Sequence, residues 1–150
     1  MRVVIQRVSE ANVKINSKLI CSIREGLLVL LGIEKEDSVS DVNWLTNKIS
    51  NLRIFSDNDG KMNSSIKEID GEIIVVSQFT LHARTKKGNR PSYIKAASAD
   101  HAIPLYEKFI YQLTRDSKKN VMGGKFGADM KVSLINNGPV TIIIDTKDKE

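Results

Sequence analysis

The sequence predicts a β-rich, mixed α/β fold with largely antiparallel sheets and two main helices. Short runs of Val, Ile and Leu, separated by turn residues, recur near both ends of the chain and are typical of strands. Two other segments carry apolar residues at helical spacing. With 150 residues and no break in composition, the chain is predicted to form a single domain, residues 1–150.

The N-terminal part is predicted to form an antiparallel meander. Turn residues at 16–18 and 25–26 separate its later strands. The last strand is apolar enough to be central in a sheet. The four predicted strands are residues 3–8, 11–16, 19–24 and 27–33.

Two helices are predicted from capping residues followed by an apolar stripe. Ser38 or Ser40 can act as N-cap of the first helix, and Ser98 or Asp100 as N-cap of the second. The stripe of the first helix contains Val42, Leu45, Ile49 and Leu52. The stripe of the second contains Ala102, Leu105, Tyr106, Phe109, Ile110 and Leu113.

The remaining predicted strands are bounded by turn residues. A short strand at 53–56 is closed by the turn at 57–60, and the turn Asp70–Gly71 precedes a run of β-branched residues. The charged end of the chain, residues 147–150, is expected to be a frayed tail. These later strands are residues 53–56, 72–77, 131–135 and 140–144.

Composition excludes several functional classes. No apolar run approaches the roughly 20 residues of a membrane span, and no secretory signal is expected from the charged N-terminus, so a cytoplasmic location without membrane contact is predicted. The single Cys21 excludes an internal disulfide and is expected to be a small core residue. His82, His101 and Cys21 are too widely separated to predict a zinc site, and the acidic turn at 57–60 lacks the ligand pattern of a calcium loop. No metal and no cofactor are predicted.

The end of the strand at 72–77 is the first candidate active site, because functional groups collect where buried strands end. Ser77, Gln78, Phe79 and Thr80 follow the β-branched run. A hydroxyl nucleophile needs a base, and His82 would share a face with Thr80 if the strand continued. A triad is nevertheless disfavoured. A site of backbone N–H groups and small hydroxyls can still accelerate cleavage of an ester that is already activated.

Residues 136–141 form a second candidate site. Asn137 and Gly138 between two strands are typical of a hairpin turn. Pro139 after Gly138 leaves a nearly bare backbone whose carbonyls can approach a ligand closely. From the residues alone, the plain turn and the ligand-facing segment are equally favoured.

Cationic side chains crowd into the segment that follows the first candidate site. Arg84, Lys86, Lys87 and Arg90 lie there, in a chain of net charge +5. Such a cluster is commonly only a solvated loop. Its position beside the candidate active site favours a substrate that carries phosphate.

Both candidate motifs together resemble the D-aminoacyl-tRNA deacylase family of the bacterial and eukaryotic type. The similarity is carried by Ser-Gln-Phe-Thr-Leu at 77–81 and Asn-Asn-Gly-Pro-Val-Thr at 136–141. It extends over nearly the whole chain. Further matching segments are 5–8, 26–32, 53–57, 60–63, 89–92 and 128–130.

The resemblance implies a homodimer with a barrel-like core in each subunit and active sites at the subunit interface. It implies a cis Gly138–Pro139 bond that reaches into the partner's pocket, held in part by Arg7 and facing the partner's 77–80 segment. The implied substrate is a D-amino acid esterified to tRNA, and no metal is implied. The family leaves open whether Thr80 is a nucleophile or whether a ribose hydroxyl assists.

The residues favour the second mechanism, because the chain offers no convincing base for Thr80. Backbone donors near Phe79 and Thr80 are expected to hold the ester carbonyl, while main chain at Gly138 and Pro139 excludes L side chains. Glycyl-tRNA is then also expected to be cleaved. Two alternatives stay open: a non-catalytic RNA-binding or dimerisation module, and a hydrolase of free D-amino-acid esters or peptides.

Overall fold

The structure is a computed structural model that describes residues 1–149. Its helices are α1 (Val39–Asn51) and α2 (Ala99–Ser117), and a short 3-10 turn spans Phe79–His82. Its strands are β1 (Arg2–Ile15), β2 (Lys18–Ile23), β3 (Gly26–Gly32), β4 (Arg53–Ser56), β5 (Met62–Ser65), β6 (Glu72–Ser77), β7 (Val121–Gly123) and β8 (Lys131–Asp145).

The predicted β-rich, mixed α/β architecture is confirmed. Six strands form one sheet, in the order β2-β1-β3-β6-β7 with β8 paired to β1, and this sheet curls into a nearly closed barrel. β1 pairs antiparallel with β2, β3 and β8, whereas β3–β6 and β6–β7 are parallel. The parallel pairs arise because α1 lies in the connection from β3 to β6 and α2 in that from β6 to β7.

Two predicted strand breaks are wrong. The predicted strands 3–8 and 11–16 form the single strand β1, and 131–135 and 140–144 form the single strand β8. β1 and β8 pair with each other along nearly their whole length. The polar residues at their centres therefore shift the register of the pairing but do not end either strand. The hairpin turn considered at Asn137 and Gly138 is therefore also wrong.

Apolar side chains on β3 and β6 are buried on both faces of the sheet. Leu27, Val29 and Leu31 belong to the larger core, which α1 and α2 cover. Leu28 belongs to a second core, where Cys21 is also buried as predicted. Burial on both faces explains why these strands are continuous apolar runs instead of alternating ones.

Both predicted helices are confirmed, with Ser38 and Ser98 at their N-caps. At the C-terminal end, Lys147 donates from Nζ to Asp41 Oδ1 at 3.0 Å, and the ammonium group of Lys149 lies 4.4 Å from the centre of the Trp44 ring. These contacts with α1 argue against a frayed tail up to residue 149, and Glu150 lies outside the described residues. No helix within residues 1–149 is long and apolar enough to cross a membrane.

Candidate active site

The chain turns sharply where β6 ends, so residues 79–82 do not continue the strand. The last bond to β3 is donated by Gln78 N–H to Leu31 O at 2.7 Å. The 3-10 turn then forms, with Leu81 N–H bonded to Gln78 O at 3.3 Å and Ala83 N–H to Thr80 O at 3.0 Å. Thr80 and His82 therefore do not lie on one face of a continued strand.

The 3-10 turn is held in place from two sides. A Cβ on Gly32 would lie 3.0 Å from atoms of Leu81 and His82, so the turn packs directly on bare backbone. On the other side, Arg2 donates from Nη1 to Leu81 O at 2.8 Å and from Nε to Asp145 Oδ2 at 2.9 Å. A turn fixed in this way presents its backbone groups in a defined direction.

Thr80 has no imidazole as a base within the described residues. Its Oγ1 accepts a hydrogen bond of 2.5 Å from Gln78 Nε2. The His82 ring is buried, its Nε2 has no partner in the described part of the chain, and no hydrogen bond joins it to Thr80. His101 is engaged elsewhere, with Nε2 2.9 Å from Asp37 O. Within the described residues of one chain, neither imidazole is therefore placed to act as a base for Thr80.

Two backbone donors are free at the start of the 3-10 turn. The first N–H groups of any helical turn have no acceptor inside the turn. Among the hydrogen bonds of residues 1–149, none is donated by the N–H of Phe79 or Thr80. Adjacent, oriented N–H groups of this kind can stabilise the oxyanion that forms when a carbonyl is attacked.

A cavity of about 310 Å³ adjoins the 3-10 turn and is called the site cavity below. Its lining includes Ser77, Gln78 and Phe79. Residues 126–130 and Val132 also line it. Sequence reasoning assigned residues 126–130 no part in the site, although their similarity to the family at 128–130 was a usable signal.

Tyr106 of α2 contacts Phe126, one of the residues that line the site cavity. Its hydroxyl lies 2.8 Å from Val75 O and 3.1 Å from Gly124 O, and its ring meets Phe126 edge-on at 5.8 Å. Burial raises the pKa of the Tyr106 hydroxyl. The hydroxyl therefore stays protonated and keeps donating to backbone.

The Gly138–Pro139 bond is cis and lies in a bulge of β8 opposite Arg7. Gln6 pairs with Thr141, and Val8 pairs with Asn136. Arg7, the one residue between Gln6 and Val8, therefore faces the four residues 137–140 of β8. Arg7 donates from Nε to Asn137 O at 2.9 Å and from Nη1 to Ile54 O at 2.7 Å. The guanidinium thus ties the bulge to β4.

One chain does not bring the two candidate sites together. Ser77 pairs with Leu31, which pairs with Val3, whereas the bulge faces Arg7. Arg7 lies four residues further along β1 than Val3, which corresponds to about 13 Å along the strand. Neither Gly138 nor Pro139 lines the site cavity, and both are exposed.

The predicted cationic segment forms a closed loop beside the 3-10 turn. Reciprocal backbone bonds of 2.8 and 3.1 Å join Arg84 and Ser92. Lys86 and Lys87 line a shallow concavity of about 290 Å³ with these two residues. Arg90 lies on the same loop and is exposed. Below, residues 84–92 are called the basic loop.

No three His, Cys, Asp or Glu side chains within residues 1–149 are grouped as metal ligands.

A family model described as D-Tyr-tRNA(Tyr) deacylase matches residues 4–145. The chain belongs to this deacylase family. A D-aminoacyl-tRNA deacylase of Flavobacterium psychrophilum is 64% identical over 150 residues, covering 100% of both chains. One of Bacteroides fragilis is 60% identical over 150 residues, again covering 100% of both.

Solved structures of the deacylase fold agree with this membership. The structure of a protein named c-Myc DNA Unwinding Element Binding Protein superposes with a TM-score of 0.91 and 39% identity, covering 97% of this chain and 99% of that one. A probable eukaryotic D-amino acid tRNA deacylase gives a TM-score of 0.81 at 17% identity, covering 95% of this chain and 97% of that chain. The second likeness concerns the fold alone.

Proposed function

We propose that this protein hydrolyses the ester bond of D-aminoacyl-tRNA and releases free D-amino acid and tRNA. The observation that carries the proposal is the 3-10 turn with the free N–H groups of Phe79 and Thr80, at the mouth of a cavity in a member of a deacylase family. A tRNA substrate would place the reaction in the cytoplasm. Purified protein is expected to release D-amino acid from D-aminoacyl-tRNA.

The chemistry needs little more than positioning, because an aminoacyl ester is already activated. Water attacks the carbonyl carbon, and the developing oxyanion is held by the N–H groups of Phe79 and Thr80. The bond from carbon to the ribose oxygen then breaks, and the proton from water passes to that oxygen, assisted by the neighbouring ribose hydroxyl. Ser77 and Gln78 shape the pocket around the ester.

The second half of the site is proposed to come from a second copy of the chain. Gly138 and Pro139 are exposed and lie far along the sheet from the 3-10 turn of their own chain. In a homodimer they would face the partner's 77–80 segment, with their carbonyls towards the amino group of the substrate. The hydrogen bonds of Arg7 hold the bulge in place, as is needed if its backbone forms a rigid part of the partner's binding pocket.

Selectivity would then arise by exclusion. An L side chain would collide with backbone at Gly138 and Pro139, whereas a D side chain would point outward. Glycine has no side chain to exclude, so glycyl-tRNA is expected to be cleaved as well. A site that rejects by collision accepts D-amino acids of different sizes.

Replacing Thr80 with alanine tests whether its hydroxyl is a nucleophile. Thr80→Ala is expected to keep deacylation within about tenfold of the wild-type rate, because it removes one neutral hydrogen-bonding hydroxyl, worth about 0.5–1.5 kcal/mol. The substitution leaves the backbone N–H in place. A fall of about a thousandfold or more in single-turnover rate would instead indicate covalent catalysis by Thr80.

Charge reversal tests the basic loop. Lys86→Glu with Lys87→Glu is expected to weaken tRNA binding and to lower the slope of log affinity against log salt by about two, because each phosphate contact contributes about 0.7–0.9 to that slope. The control is Lys14→Glu with Lys18→Glu, two exposed lysines on β1 and β2. If both double variants gave the same slope of log affinity against log salt, the basic loop would be a solvated segment without phosphate contacts.

A binding module without catalysis is the second candidate, favoured by one observation. A solved structure that is 39% identical to this chain is that of a protein named as a DNA-unwinding-element binding protein. The basic loop would serve such a role equally well. The two candidates differ in turnover: tRNA binding without release of D-amino acid would support the binding module, and release from free D-amino-acid esters at the same rate would support an esterase independent of tRNA.

A further inference from the structure

We propose that the rings of Phe79 and Tyr93 form a stacking platform for the unpaired ribonucleotide that precedes the esterified residue of the RNA. The two rings are called the aromatic platform below. This inference rests on the proposed function, because it assumes that the ester lies at the 3-10 turn. It adds a subsite for the penultimate base of the single-stranded RNA end.

The two rings are exposed at the edge of the site. Phe79 is 56% exposed and Tyr93 is 38% exposed, although aromatic side chains without a partner are normally buried. Their centroids lie 5.0 Å apart with an interplanar angle of 78°. In an edge-to-face pair, the ring that contributes its edge keeps both faces free, and the ring that contributes a face keeps its other face free. At least one flat apolar surface is therefore open to a base.

The position of Tyr93 is fixed by backbone bonds on both sides. The preceding residue, Ser92, is paired with Arg84 across the basic loop. After Tyr93, Ala96 N–H donates to Tyr93 O at 2.9 Å, and Ala97 N–H donates to Ile33 O at 3.0 Å. A ring on a fixed backbone loses little freedom when a base stacks on it.

The charge around the aromatic platform suits an RNA strand. Residues 73–99 contain Arg84, Lys86, Lys87, Arg90 and Lys95 but no Asp or Glu. Those five cations equal the whole net charge of +5, so the other 18 Lys and Arg residues balance the 18 Asp and Glu residues of the chain. This segment, which contains both Phe79 and Tyr93, therefore carries a charge of +5 with no acidic side chain to offset it.

Exposed aromatic rings beside a cationic loop are the usual means of binding single-stranded nucleic acid. Bases stack on the rings, while Lys and Arg contact the phosphates that connect them. A paired duplex cannot offer a base face to the rings. The platform therefore favours the unpaired end of a tRNA, in which the ester at the 3-10 turn and a base at Tyr93 are only one nucleotide apart.

A short RNA with 2-aminopurine as its penultimate 3′ base reports stacking directly, because stacking quenches its fluorescence. Wild-type protein is expected to quench the probe on binding. Tyr93→Leu is expected to bind about tenfold more weakly with reduced quenching, as for loss of one base–aromatic stack. Tyr111→Leu is the control, since Tyr111 is 54% exposed on α2, far along the chain from the basic loop. Equal quenching and affinity for wild type and Tyr93→Leu would overturn the proposal.

Kinetics separate this subsite from the ester site. Tyr93→Leu is expected to raise KM for D-aminoacyl-tRNA about tenfold and to leave hydrolysis of D-aminoacyl-adenosine unchanged, since the small substrate lacks the penultimate base. Equal impairment with both substrates, or a changed oligomeric state, would overturn the platform. If the wild-type protein hydrolysed neither substrate, the proposed function would fail, and the fluorescence experiment would still decide whether the rings stack a base.

Discussion

Gly138→Ala is expected to slow D-aminoacyl-tRNA deacylation by about a hundredfold, because displacing a positioning group by about 1 Å has effects of that size. Gly138 has φ +133°, and a Cβ there would lie 2.8 Å from Arg7 Nη2 and 2.9 Å from Val140 Cγ2. The added methyl would also meet the backbone N of Val140 at 3.2 Å. Both the bulge and its brace must therefore shift. If the bulge is the wall of the partner's pocket, the substrate loses its position.

Gly60→Ala is the matched control for this experiment. Gly60 also has a positive φ, of +76°, but a Cβ there would meet nothing within 4 Å. Alanine at Gly60 is also strained by a positive φ, but it meets no collision. Single-turnover rates on D- and L-aminoacyl-tRNA, with circular dichroism to confirm folding, provide the comparison. Wild-type rate and stereoselectivity in Gly138→Ala would contradict a role for the bulge in the site.

Arg7→Ala is expected to reduce deacylation by about tenfold to a hundredfold, because the bulge at Gly138 and Pro139 loses its support without any added side-chain volume. The guanidinium donates to Asn137 O on the bulge and to Ile54 O on β4, and no other side chain in the described chain joins these two carbonyls. Losing hydrogen bonds from a charged donor also costs about 1.5–3 kcal/mol of stability. Arg7→Lys is expected to remain impaired, because one ammonium group cannot reproduce the planar fork.

Arg53→Ala controls for the general loss of an arginine that bonds to backbone. Arg53 donates from Nε to Asn63 O at 2.9 Å and is exposed, and within residues 1–149 no hydrogen bond joins its side chain to the bulge. Deacylation rates and thermal unfolding of the Arg7 and Arg53 variants should be compared under identical conditions. Should both alanine variants lose activity to the same small degree, Arg7 would be only a structural contact.

The parts of the fold that were predictable have strong local patterns. β3 and β6 are continuous apolar runs because both of their faces are buried, and α1 and α2 carry apolar stripes behind serine N-caps. The sequence predicts each long strand as two, because the polar residues Ser9 and Glu10 and the turn residues Asn137 and Gly138 interrupt the apolar runs. Pairing along the length of β1 and β8 overrides that local preference.

The candidate site was predictable in part for the same reason. The strand end at Ser77 marked one half, but the 3-10 turn depends on packing against Gly32 and on the bond from Arg2 to Leu81 O, which come from distant parts of the chain. Likewise, the sequence predicts Tyr106 only as part of the apolar stripe of α2, whereas its hydrogen bonds to Val75 and Gly124 are visible only in three dimensions. Local sequence contains no information about these contacts.

Release of amino acid from matched D-, L- and glycyl-tRNA by the purified protein is the most direct test of the proposed function. Using the same tRNA body in all three substrates keeps RNA binding constant, so that only the substituents at the α-carbon differ. We expect rapid release of the D-amino acid, measurable release of glycine, and retention of the L-amino acid. Equal release of D- and L-amino acids, or no release at all despite tRNA binding, would contradict the proposed function.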